Sequence, residues 1–142
     1  MKLLLFFTLL ATMLGTAPAA EPARLPQKLS LYIGHYGPGG RTHVDLVDGA
    51  LRYKVVKSQK ETVETITPTA EQWTAFGLAL DALKVWDWKK TYEIPSEDGT
   101  QWSATIIEEG HRLESTGNNA YPPDFKKYLA AVKALLGGRQ FD

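Results

Sequence analysis

The sequence predicts an α+β protein in which antiparallel sheet of about six strands packs with two helices, in the order βββαβββα. Three observations carry that expectation. Short runs of alternating apolar and polar residues recur on either side of glycine-containing turns. Two longer segments repeat apolar residues at steps of three and four, the period of a helix. Each helical segment also closes a group of strand-like runs, so the helices are expected on one face of the strands.

Residues 1–20 precede this domain and read as a signal peptide. Lys2 places one positive charge ahead of an apolar run over 3–14, and Thr16-Ala17-Pro18-Ala19-Ala20 supplies the small residues of a cleavage site. The apolar run falls short of the roughly 20 residues that anchor a helix in a bilayer. Cleavage after Ala19 or Ala20 leaves about 122 of the 142 residues. Residues 21–28, with two prolines and mixed charges, form a loose lead-in, and 29–142 form a single α+β domain.

The first strands are expected at 30–36 and 42–47, around Gly37-Pro38-Gly39-Gly40, and the third at 51–58 after Asp48-Gly49. With Asp48-Gly49 at the turn, Leu46 faces Leu51 and Val44 faces Tyr53, while Asp45 faces Arg52 and His43 faces Lys54. One face is then apolar and the other charged, and a slip of one residue would bury the charges. Thr67-Pro68 and the capping box Thr69-x-x-Gln72 start a helix whose stripe is Trp73, Phe76, Leu80 and Leu83.

The second round runs over 89–94, 100–108 and 111–116, with turns at Pro95-Ser96-Glu97-Asp98-Gly99 and Glu109-Gly110. The latter turn pairs Ile106 with Leu113 and Ala104 with Ser115. It also sets Trp102 opposite Gly117, where the missing side chain makes room for the indole. After Pro122-Pro123 a second helix carries Phe125, Tyr128, Val132 and Leu135, and Gly137-Gly138 ends it. The order is compatible with a duplicated βββα unit, although no further aligned identity supports one.

Composition narrows the function classes. There is no cysteine, so neither a disulfide nor a lipid on a cysteine is available, and packing alone must hold the domain. Export without cysteine fits a bacterial envelope, either periplasmic or secreted. The 16 basic and 16 acidic side chains leave no basic stripe for a nucleic acid. No later segment is long and apolar enough to span a membrane. The balance points to a protein, glycan or small-molecule partner, or to none, and a protein or glycan partner is expected.

The segment Ser115-Thr116-Gly117-Asn118-Asn119-Ala120-Tyr121-Pro122 holds the densest chemistry outside the expected core. Asn118, Asn119 and Tyr121 join a strand to a helix N-terminus, where amides and a phenol suit a carboxylate, a sugar hydroxyl or a backbone. The same residue types also satisfy turns and caps. The block over 117–125 resembles a G-x-N-A-Y-P-x-x-F pattern of small exported bacterial proteins of uncharacterised function. The Trp73-x-x-Phe76 helix followed by Trp86-Asp87-Trp88 is similar to the same group. The resemblance implies no activity.

Of the four tryptophans, Trp73 and Trp102 lie on apolar stripes and Trp88 suits the junction of helix and sheet. Trp86 is left as a candidate binding residue, able to stack on a sugar or anchor a protein. His35 and His43 face each other only if Tyr36 pairs with Thr42, and that register sets Ile33 against Asp45. With no recognised ligand spacing, neither metal nor cofactor is expected. There is no G-x-S-x-G and no H-E-x-x-H.

The expectation is therefore an exported, non-enzymatic protein that binds a macromolecule through an exposed sheet face or the 118–121 loop. An inhibitor of a secreted hydrolase is one concrete form. The competing reading is a small hydrolase or lyase built on His111, Glu108 and Glu114. A third is an assembly protein whose strand edges pair with another subunit.

Overall fold

The computed structural model describes Gly15 and residues 24–142. The segment expected to be a signal peptide and the first residues of the lead-in otherwise lie outside the described residues. The chain runs β1 (Lys28–His35), β2 (Arg41–Val47), β3 (Ala50–Lys57), β4 (Lys60–Ile66), α1 (Ala70–Ala82), β5 (Thr91–Glu93), β6 (Thr100–Glu108), β7 (His111–Asn118) and α2 (Phe125–Leu135). Tight 3-10 turns at Gly37–Gly39 and Val85–Asp87 interrupt the connections.

Among the described residues all strands join one sheet of seven, in the order β4-β3-β2-β1-β6-β7-β5. Neighbours are antiparallel except β5 and β7, which run parallel. The expectation of six antiparallel strands is therefore corrected: the fold is α+β with a mixed, seven-stranded sheet. Four strands precede the first helix and three precede the second, so the halves do not match strand for strand.

The extra strand is β4, and its concealment has a physical cause. It pairs with β3 across Ser58 and Gln59, both with positive φ (50° and 64°). Such a turn normally announces itself with Asn or Gly, and Ser-Gln carries no such mark. Only Ile66 of β4 is buried, because the strand is an edge and its Lys, Glu and Thr side chains meet water. No alternation was there to read. The 89–94 run shrinks to three residues and takes the far edge.

Both hairpins with glycine turns take the expected registers. Leu46 faces Leu51 and Val44 faces Tyr53, with Asp48 and Gly49 at φ 49° and 80°. Ile106 faces Leu113 and Ala104 faces Ser115. Trp102 faces Gly117, and a Cβ added at 117 would sit 1.9 Å from the indole Nε1. The β1–β2 register differs from the one considered for the histidines: Tyr32 faces His43 and Ile33 faces Thr42.

The helices cover one face. Leu29, Leu31 and Ile33 of β1 and Trp102, Ala104 and Ile106 of β6 are buried against the stripes Trp73-Phe76-Leu80 and Phe125-Tyr128-Val132-Leu135. The capping box of α1 is present, with Thr69 Oγ1 accepting from Gln72 N–H at 3.1 Å and Gln72 Oε1 accepting from Thr69 N–H at 2.8 Å. The C-terminal tail extends the cover: Phe141 is buried, and the Tyr53 hydroxyl donates to the Gln140 carbonyl at 2.7 Å. Among the described residues the opposite face carries no helix. Among the described residues no helix is long and apolar enough to cross a membrane.

Candidate functional site

The loop from β7 to α2 is held from within. Asn119 adopts a left-handed conformation (φ 55°), and its backbone N–H donates to the Thr100 carbonyl at 2.9 Å. Its Oδ1 accepts from Thr100 N–H at 2.8 Å, and its Nδ2 donates to the Asp98 carbonyl at 2.9 Å. Asparagine tolerates this backbone because its short amide bonds locally. Every polar atom of the Asn119 side chain thus ties down the turn before β6. Asn118 closes β7 opposite Gln101, with its Oδ1 3.4 Å from Asn119 Nδ2.

Pinning Asn119 sets Tyr121 at the surface. Trp102 Nε1–H donates to the Ala120 carbonyl at 2.9 Å, so the core indole fixes the residue just before it. Tyr121 is 45% exposed, and its ring lies 5.0 Å from Phe125, tilted by 32°. It borders a groove of about 710 Å³ whose apolar floor is Ile33, Phe125 and Leu129. Lys126, Lys127, Asp124 and Asp142 bring both signs of charge to the rim. An apolar floor with a charged rim can accept an apolar group of a ligand or of a protein.

Trp86 lies elsewhere, beyond the end of α1. Lys84 turns left-handed (φ 52°) and Val85–Asp87 forms a 3-10 turn, so Trp86 lies in a turn and only Trp88, just after it, is extended. Trp88 closes the core, edge-on to Trp102 and Tyr128 at 5.9 and 5.1 Å. Trp86 is half-buried, donates from Nε1 to Asp81 Oδ1 at 2.9 Å and stacks on the His111 ring at 4.8 Å. Asn119 and Tyr121 are neighbours; Trp86 belongs to a separate cluster.

That cluster contains the buried Glu108 and an arginine that sequence reasoning missed. Arg24 Nε donates to Glu108 Oε2 at 2.8 Å, while its two terminal nitrogens donate to Asp81 at 2.6 and 2.9 Å. The Glu108 side chain is 6% exposed. The Arg24 stem crosses α1 at Gly77, where a Cβ would lie 2.7 Å from Arg24 Cδ. A glycine inside a helix costs about 1 kcal/mol against alanine, and here it leaves room for the crossing arm. It was the one available sign of this contact. The bidentate guanidinium holds the Asp81 carboxyl down at about 2, with Trp86 assisting.

His111 Nδ1 stands 4.0 Å from Glu108 Oε2, so the carboxylate and imidazole of the enzymatic reading do meet. Arg24 nevertheless occupies the same Glu108 oxygen at shorter range. Glu114 lies on the opposite face of the sheet, bound to Arg112 at 2.7 Å, so the three residues do not form one site. His35 and His43 are apart: His35 Nδ1 is 2.8 Å from Thr100 Oγ1, and His43 packs on Tyr32. Burial, with the Lys54 charge second, lowers the His43 pKa. Among the described residues no three His, Asp or Glu gather to hold a metal.

Neither a family model nor a curated protein matches this chain in sequence.

Proposed function

We propose that this chain is an exported, non-enzymatic binding module of a bacterial envelope, periplasmic or secreted, whose partner is a protein. The observation that carries this reading is the groove beside Tyr121: half-buried Leu129 over the core residues Ile33 and Phe125, flanked by a half-exposed tyrosine on a loop pinned by Asn119. Tyrosine in such a position supplies a large contact area at low cost in side-chain entropy. Burying one apolar side chain of a partner in the groove contributes about 1.5–3 kcal/mol. An inhibitor that places a secreted hydrolase's surface side chain there is the concrete form. The engagement of Glu108 by Arg24 supports the non-enzymatic side, since a general base needs a carboxylate open to a substrate proton.

The test is capture from envelope and secreted fractions, followed by purification of the retained protein and titration against wild type and Tyr121→Ala. A loss of about tenfold or more in affinity, with an unchanged melting temperature, is expected. Equal affinity for the two forms removes the groove from the interface. Failure to retain any protein overturns the reading.

A further inference from the structure

The face of the sheet without helices holds a second cleft, of about 530 Å³, between Tyr32, the 36–40 loop and the β3–β4 turn. Its chemistry differs from that of the Tyr121 groove. The Tyr32 ring reaches over Gly34, where a Cβ would lie 2.3 Å from the Tyr32 hydroxyl. Glycine at 34 therefore lets the phenol lie along the sheet as a floor. On one side Gln101 Nε2 donates to the Tyr36 hydroxyl, joining the loop to β6. On the other, Ser58 and Gln59 of the left-handed turn bring a hydroxyl and an amide, and Val56 an apolar patch.

Arg41 sits opposite Gly34 at the start of β2, exposed to solvent. Among the described residues no carboxylate lies within ion-pair distance of it, although Arg24, Arg112 and Arg139 each have one. Among the described residues no Asp or Glu lines the cleft. An uncompensated guanidinium is a fork that matches a carboxylate in two parallel hydrogen bonds. The remaining lining of phenols, amides and a hydroxyl is suited to a ring that carries hydroxyl groups, with the phenol faces against its C–H edges.

We propose that this cleft binds a carboxylate-bearing sugar, with Arg41 on the carboxylate, Tyr32 under the ring, and Gln101 and Gln59 on its hydroxyls. The site lies on the other face of the sheet from the Tyr121 groove, with His35 the one lining residue they share, and its test is independent of the protein partner.

The test is titration of the isotopically labelled protein with digalacturonic acid, followed by nuclear magnetic resonance. Shifts are expected at the amides of Gly34, Gly37, Gly40 and Gln101. Arg41→Gln should weaken binding about tenfold or more without altering the melting temperature, because a hydrogen bond to a charged group is lost. The methyl ester of the same sugar should be weakened as strongly, which removes the charge without touching the protein. Tyr121→Ala should bind as wild type does. Equal binding of acid and ester, shifts confined to another surface, or no shifts at all would overturn the proposal. So would binding of inorganic phosphate at Arg41 with none of the acidic sugar.

Discussion

Arg24→Ala is the sharpest test of how the segment before β1 is used. The substitution leaves Glu108, with a side chain 6% exposed, without the guanidinium that meets it at 2.6–2.8 Å. Removing one partner of a buried pair costs about 3–5 kcal/mol, because the remaining charge stays desolvated. Arg24 itself is 29% exposed, which places the expected loss at the lower end, about 3 kcal/mol. The Asp81 side chain is 42% exposed, so its part of the bridge adds little, about 0.5 kcal/mol. Urea denaturation at pH 7 measures the sum. The double variant Arg24→Ala/Glu108→Gln should be more stable than Arg24→Ala alone, since the orphaned charge is gone. A single-variant loss under about 1 kcal/mol, or a double variant no more stable than the single, would refute the assignment of Glu108 as a buried, arginine-compensated carboxylate.

Three further outcomes are expected. The Tyr128 hydroxyl is buried with no hydrogen-bond partner among the described residues, and burial pushes its pKa up. Tyr128→Phe should therefore be neutral or stabilising by about 1 kcal/mol in the same denaturation assay. Gly117→Ala drives a Cβ to 1.9 Å from Trp102 Nε1 and should destabilise by about 3 kcal/mol, with a changed near-ultraviolet circular dichroism spectrum. Asp81 has its pKa lowered from 3.8 to about 2, so its stabilising contribution is complete above the ordinary carboxylate range. It is lost as pH falls through that range toward the folded value, and Asp81→Asn should remove that part of the acid slope in thermal melts.

What was legible in the residues was what local rules govern. Asp48-Gly49 and the alternation around it set a register pair by pair, and Thr69 with Gln72 marked the start of α1. The Glu109-Gly110 turn likewise set Trp102 opposite Gly117, and their sizes agree. What was hidden depends on distant partners or on unmarked backbone. β4 has a turn without Asn or Gly and only one buried residue, so neither rule applied. Arg24 meets Glu108 across 84 positions, and only Gly77 hinted that something passes over the helix. Tyr121 was legible as a surface candidate, but Ile33 and Leu129 beneath it come from elements that spacing does not connect. Arg41 carried no local sign, because being unpaired is a property of its surroundings in space.

Both candidate sites meet at one end of the sheet, and a single set of bonds holds that end in shape. His35 lines the Arg41 cleft on one face and the Tyr121 groove on the other. Its Nδ1 lies 2.8 Å from Thr100 Oγ1, and the Thr100 backbone is gripped on both sides by Asn119. Gly99 leaves space for that grip, since a Cβ there would lie 1.6 Å from Asn119 Oδ1. The Tyr36 N–H donates to the Gly99 carbonyl at 3.0 Å and carries the same support into the glycine loop. Asn119 thus acts on both surfaces without reaching either: it fixes the strand end from which Tyr36, His35 and Tyr121 project. Binding residues on loops need such rigid backing to keep their geometry. This is why the amide-rich segment before α2 reads as functional from its composition, although the atoms of Asn119 face inward.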